Sequence, residues 1–208
     1  MSFNTYGKKT TTYSGNTAIW LGTGEVFPGG GVLAADYVVA DALYPAGSPV
    51  YLDIMGGTLT PCEVFELVDA IGSGDTNIKV KLGNQGTVPA VSVPYGVAPA
   101  TGYVIAKAAV ASVVAIDASG FYDLSIVANS LGTASEGDFL VICTSVGSNQ
   151  SMLAPANGLL YNDIHLESGD TSATGAMRVS GQVLEDRIPS IPPNVKASLN
   201  KITFIKEE

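Results

Sequence analysis

Apolar residues in this chain recur at alternate positions in short runs, and glycine, proline, serine and asparagine break the runs apart. In Asn77–Leu82, Ile78, Val80 and Leu82 alternate with Lys79 and Lys81, the pattern of a strand with one solvated face. Further strands are expected after the turn at Tyr44–Pro49, then over Thr60–Leu67, Tyr103–Ala106, Ser112–Ile116, Tyr122–Val127 and Asp138–Ile142. The Gly-, Ser- and Asp-rich linker Asp69–Thr76 suits a hairpin. Two stretches fit either reading: Val32–Leu43 as strand or helix, and alanine-rich Ala106–Ala111 as strand or helical turn. Strand-length norms give roughly ten to twelve strands.

Pro155–Pro193 organises the C-terminal half. Leu160, Ile164 and Leu166 mark one strand, Ser168–Ser172 a polar loop, and Met177–Leu184 a second strand, in which Gly181 marks a bulge or a close backbone approach. Ile188-Pro189 and Ile191-Pro192-Pro193 cannot continue a central strand, because proline has no ladder donor. They read as an extended segment laid over a neighbour. Val195–Leu199 fits one helical turn before a last strand, Ile202–Lys206. The fold class expected is therefore all-β, a β-sandwich or barrel-like arrangement of many short strands. A polar N-terminal arm (1–17) precedes β-rich regions at 18–100 and 101–208, with proline-containing Gly83–Ala100 as a boundary or an excursion loop.

Composition narrows the partners. A chain of 208 residues can bury a real core. The net charge of −9 argues against nucleic acid, which needs a basic footprint. Only 14% of residues are charged while 46% are hydrophobic, a balance that favours subunit contacts. The arm Met1–Thr17 contains Tyr6, Lys8 and Lys9 and no acidic residue, so it reads either as a frayed terminus or as a segment that docks on a partner. It has no apolar core of the kind a signal peptide needs, and Val104–Ile116, the most apolar run, is too short to span a bilayer; no membrane is expected. Cys62 and Cys143 have no metal-binding spacing; buried free thiols are the expected reading and a disulfide the alternative.

No catalytic constellation is apparent. His165 is the single histidine and lies inside an expected strand, with no nucleophile elbow or second imidazole to complete a site. Gly22-Thr23-Gly24 lacks the third glycine and following helix of a phosphate loop. Acidic pairs such as Glu185-Asp186 read as solvated charge, and Glu185 with Arg187 as a salt bridge that could cross a subunit interface. No catalytic, cofactor or metal residue is assigned.

Several segments, in order, resemble a known family. They are Pro45-Ala46-Gly47-Ser48-Pro49-Val50, Ile116-Asp117 with Tyr122–Ile126, Gly137-Asp138-Phe139-Leu140, and Asn157–Asp163. Val179–Gly181, Arg187-Ile188-Pro189, Pro192-Pro193 and Ile202–Phe204 complete the series. Over about Pro45–Phe204 the chain resembles the head fiber proteins of tailed bacteriophages, including those of crAss-like gut phages. The resemblance implies a non-enzymatic virion protein on the outer capsid surface, a homotrimer attached to the major capsid protein by its N-terminal part. Tyr6, Lys8 and Lys9 are then the expected capsid-docking residues. Ile188, Pro189, Ile191, Pro192 and Pro193 are the expected subunit interface. The protein would then stabilise the shell and could present a surface to the host or its surface glycans; the alternatives are a stand-alone β-sandwich adhesin or carbohydrate-binding module and a polysaccharide hydrolase.

Overall fold

Three apolar cores, rather than one, take up the short runs. The structure, a computed structural model, describes residues 19–27, 29–83, 87–128 and 130–207. The chain begins with β1 (Trp20–Leu21) and enters a first body through β2 (Gly31–Leu33), β3 (Leu43–Tyr44), β4 (Pro49–Asp53) and β5 (Thr58–Pro61). A second body follows. It comprises β6 (Val64–Glu66), β7 (Asn77–Val80), β8 (Pro94–Val97), β9 (Val104–Val110), β10 (Val113–Ile116), β11 (Tyr122–Ser125), β12 (Phe139–Ile142) and β13 (Gly147–Ser151). The chain returns to the first body with β14 (Gly158–Leu160), β15 (Ile164–His165), β16 (Thr174–Gly175) and β17 (Met177–Arg178). It ends in β18 (Gly181–Leu184), α1 (Pro193–Ser198) and β19 (Ile202–Ile205). The fold is all-β, as the alternation predicts.

The first body is a sheet in the order β16-β2-β5-β4-β14-β17. Only Ala176 separates β16 from β17, so one stretch of chain pairs with β2 at one end of the sheet and β14 at the other. The sheet thus nearly closes into a small barrel around Leu33, Val50, Leu52, Leu59, Leu160 and Met177. Gly175 makes this closure possible: a Cβ there would lie 2.6 Å from Ile164 Cδ1 and 2.9 Å from Leu59 Cδ2. The second body has sheets β13-β9-β8-β12-β6 and β10-β11-β7. They join where β9 runs on into β10, and where Leu67, just beyond β6, bridges to Val80 of β7. They wrap around Phe65, Ile78, Val80, Tyr95, Leu124 and Leu140.

A third core lies between the two bodies and the sheet β1-β18-β19, and includes Cys62, Val64, Ile105, Val141, Leu159, Val183 and Val195. Adjacent residues of one strand serve different cores: Val64 and Phe65, Leu140 and Val141, Leu159 and Leu160. Successive strand side chains point to opposite faces, so a strand between two cores must be apolar at consecutive positions. β7 keeps the alternation, with Ile78 and Val80 buried and Lys79 half-buried, because its other face is solvated.

Several expectations are corrected. Ala100/Thr101 is not a boundary: it falls inside the antiparallel β8–β9 hairpin. The chain changes bodies at Cys62–Glu63 and again near Leu153–Ala156, so the second body is inserted in the first. Gly83–Ala100 is not only a connection, since it contains β8, which pairs with both β9 and β12. Pro94 opens that strand, where a missing N–H is tolerated, and its carbonyl accepts from Cys143 N at 2.8 Å. Thr60–Leu67 is two strands in different sheets. Ala106–Ala111 is mostly β9, and Val32–Leu43 holds β2, a turn of 3-10 helix at Ala35–Tyr37, and the start of β3. The expected hairpin of Pro155–Pro193 exists as β14 with β17, but β18 pairs with β1 and, in parallel, with β19. Gly181 has φ of +119° and is a close approach: a Cβ there would lie 2.5 Å from Arg178 Nη2.

Candidate functional site

The residues expected to carry function separate into three groups. Tyr6, Lys8 and Lys9 lie outside the described residues. Ile188 and Ile191 are 5% and 3% exposed within their own chain, and Pro189 and Pro192 are buried with them; Pro193 alone of the five is exposed, at the start of α1. The expected subunit interface is therefore corrected. The proline-stiffened segment does lie over a neighbour, but the neighbour is the third core of the same chain. Glu185 and Arg187 likewise pair internally, Glu185 with Lys196 and Arg187 with Glu207, with Arg187 Nε donating to Glu207 Oε2 at 2.7 Å. His165 is exposed on β15.

Two segments that are distant in sequence form a bracket. Asn157 Oδ1 accepts from Leu52 N at 2.9 Å, and its Nδ2 donates to Leu52 O at 3.0 Å. Asp163 Oδ1 accepts from Ala46 N at 2.8 Å. Gly47, at φ of +83°, lies directly under Ile188: a Cβ would meet Ile188 Cγ2 at 2.3 Å. Pro45–Val50, Asn157–Asp163 and Ile188 thus meet at one place, and the Asn157 and Asp163 side-chain hydrogen bonds named here all go to backbone. Nearby, Trp20 Nε1 donates to Tyr161 O at 2.9 Å, the rings stack at 6.0 Å, and the Arg178 guanidinium lies 4.7 Å from the indole centroid. Trp20 is a lock on β1, engaged by both neighbours, rather than an open aromatic platform.

A crevice sits at the Cys62–Glu63 crossing between the bodies. Tyr37, Pro61 and Glu63 line it from one side of the crossing and Ile142, Met152 and Leu153 from the other. Burial holds the Glu63 carboxyl above the usual carboxylate range; the Thr87 hydroxyl opposes this but makes no close hydrogen bond. No lysine or arginine among the described residues pairs with Glu63. Burial, helped by Glu63, also raises Tyr37, and raises Tyr44 and Tyr95 to about 12. Cys62 and Cys143 are buried thiols in no disulfide, as expected, and burial pushes them to about 12 and about 11, so both are neutral near pH 7. Sequence reasoning missed Glu63 because an acidic residue within one continuous strand reads as its solvated face. Nothing in the local pattern marks it, since apolar Cys62 and Val64 on either side are what a solvated strand position also shows.

The space the crevice offers a water-sized group is about 10 Å³, room for roughly one water and far below the few hundred cubic ångströms of a typical small-molecule site. Among the described residues no group of three or more His, Cys, Asp or Glu is placed to hold a metal ion. Large apolar side chains are nonetheless exposed: Val113 (53%) and Ile116 (64%) on β10, an uncharged strand at the edge of its sheet, and Ile54 and Met55 at the tip of the β4–β5 turn. No protein-family model, curated protein or solved structure matches the chain.

Proposed function

We propose that this protein is a non-enzymatic virion component, a head fiber or decoration protein on the outer surface of a tailed-phage capsid. In this reading it binds the major capsid protein through its N-terminal arm and assembles as a homotrimer. The observation that carries the reading is the bracket of Ala46, Gly47, Asn157, Asp163 and Ile188. These residues belong to the segments that carry the family resemblance, and they meet to clamp backbone rather than to surround a cleft. Such a set is what a rigid scaffold needs. The exposed apolar strand β10 adds surface suited to assembly, because an unguarded strand edge presents unpaired backbone groups to another chain.

Gold-labelled antibody against the protein, applied to intact virions of the phage that encodes it, tests the reading. Label on the capsid exterior is expected; unlabelled virions would refute it. Light scattering of the purified protein tests the trimer separately, and a monomeric mass would refute that part. Co-sedimentation with capsid shells tests the arm: deletion of Met1–Thr17 abolishes binding if Tyr6, Lys8 and Lys9 dock on the shell.

A further inference from the structure

Asn157-Gly158 is the chain's one Asn-Gly pair, and it stands where the chain returns from the second body to the first. In such a pair the glycine nitrogen, unhindered by a side chain, can reach the asparagine amide carbon, and asparagine counts among the thermolabile residues. Each of the two residues is nonetheless fixed by a contact of its own. The Asn157 amide presents a donor and an acceptor side by side, and one partner uses both: Oδ1 accepts from Leu52 N at 2.9 Å and Nδ2 donates to Leu52 O at 3.0 Å. A carboxylate in its place has no donor for Leu52 O. Gly158 opens β14 opposite Val50, and a Cβ there would lie 2.4 Å from Met177 Cγ and 2.5 Å from Met177 Sδ.

The same contacts hold the pair away from reaction. Asn157 is exposed, so water is at hand, and what withholds the chemistry is geometry. Ring closure brings Asn157 Cγ onto Gly158 N. For that the amide must leave Leu52, and the strand entry, where Asn157 N donates to Val50 O at 3.0 Å, must unpair.

We propose that Asn157 is a deamidation site gated by the fold, inert while its bracket to Leu52 is closed and converted once the first body opens. In the open chain Gly158 N bonds to Asn157 Cγ and gives up its proton, and the side-chain amide departs as ammonia, leaving a cyclic imide. One water then opens the ring at either carbonyl, to aspartate or isoaspartate, with no change of oxidation state. Either product bars the way back. Aspartate sets an oxygen against Leu52 O where Nδ2 had donated, and isoaspartate adds a backbone atom just ahead of β14, out of register with β4. A copy whose first body stays open is thus marked irreversibly. The inference does not depend on the capsid reading. Full-length protein held at pH 8, native or in guanidinium chloride, then digested and mapped by mass spectrometry with isoaspartate resolved, tests it. Loss of Asn157 should be at least about tenfold slower in the native protein, because the rate follows the open fraction; equal rates would overturn the inference. Asn157→Asp gives a second readout. It should melt below the parent at pH 7, with the gap narrowing toward pH 4, where a protonated carboxyl again donates to Leu52 O. That carboxyl is favoured in its neutral form, so the stability it brings is present at low pH and lost as pH rises. Asn157→Ala, which has no such group, should keep a constant gap. A gap for Asn157→Asp that does not narrow, or parental melting at pH 7, would overturn the role given to the bracket.

Discussion

Gly47 and Ile188 offer a sharp test of where the proline-stiffened segment packs. Gly47 has φ of +83°, a left-handed conformation that costs a residue with a Cβ about 1–2 kcal/mol. Its missing Cβ is also the space Ile188 occupies, with Cγ2 at 2.3 Å and Cβ at 2.7 Å from the position that atom would take. Overlap of that kind costs about 1–3 kcal/mol more. Gly47→Ala is therefore expected to lose roughly 2–5 kcal/mol, and Ile188→Ala, which empties a buried site, about 2–5 kcal/mol. The double variant should be less damaged than the sum, since shortening Ile188 relieves the overlap while the backbone term remains. The coupling expected is about 1–3 kcal/mol. Equilibrium urea unfolding followed by the fluorescence of Trp20, the single tryptophan, measures all four proteins. Compared at one protein concentration, midpoints should shift with unchanged slopes, and Ile188→Ala should leave any concentration dependence as it is in the parent. Additivity within about 0.5 kcal/mol would refute the contact. A concentration-dependent midpoint abolished by Ile188→Ala would place Ile188 between chains after all.

Three further outcomes are expected. Gly175→Val should collapse the first body, destabilising by at least about 3 kcal/mol through overpacking, because its side chain would enter space filled by Ile164, Leu59 and Leu160; thermal unfolding within a few degrees of the parent would refute the nearly closed barrel. Both thiols should resist a thiol reagent in the native protein and react in urea, and rapid native labelling at pH 8 would contradict their burial. Lys79 lies 3.0 Å from Asp117 and holds its carboxyl below the usual range, so the pair stabilises the fold above the unfolded carboxylate pKa and loses that contribution as pH falls through the lowered one. Lys79→Met should therefore lower the melting temperature at pH 7 and match the parent near pH 2; a pH-independent difference would refute the assignment.

Much of the secondary structure was legible because alternation is a local property. Ile78-Lys79-Val80 reads directly as a strand with one wet face, and the helical turn followed by a strand at the C-terminus lies close to where Pro192-Pro193 and Ile202–Phe204 place it. Regions apolar at consecutive positions were harder. Val64-Phe65 and Leu159-Leu160 are strands between two cores, and nothing local says which core takes which residue. The candidate site suffered most. Glu63 carries no local mark of its place, which only the crossing between bodies gives it, and Ile188 looked free to meet another chain until Gly47 was seen beneath it.

The sequence alone determined the class of the fold: short alternating runs, frequent turn residues and no long helical period leave only packed sheets. It also showed that Cys62 and Cys143 lack the close spacing of paired metal ligands. Tertiary structure alone decided the partners. Strand pairing joins β4 to β14 and β6 to β12 across about a hundred and about seventy-five residues, and backbone hydrogen bonds carry no residue code. Which strands pair is settled by how three cores can be filled at once, and that is a property of the whole chain.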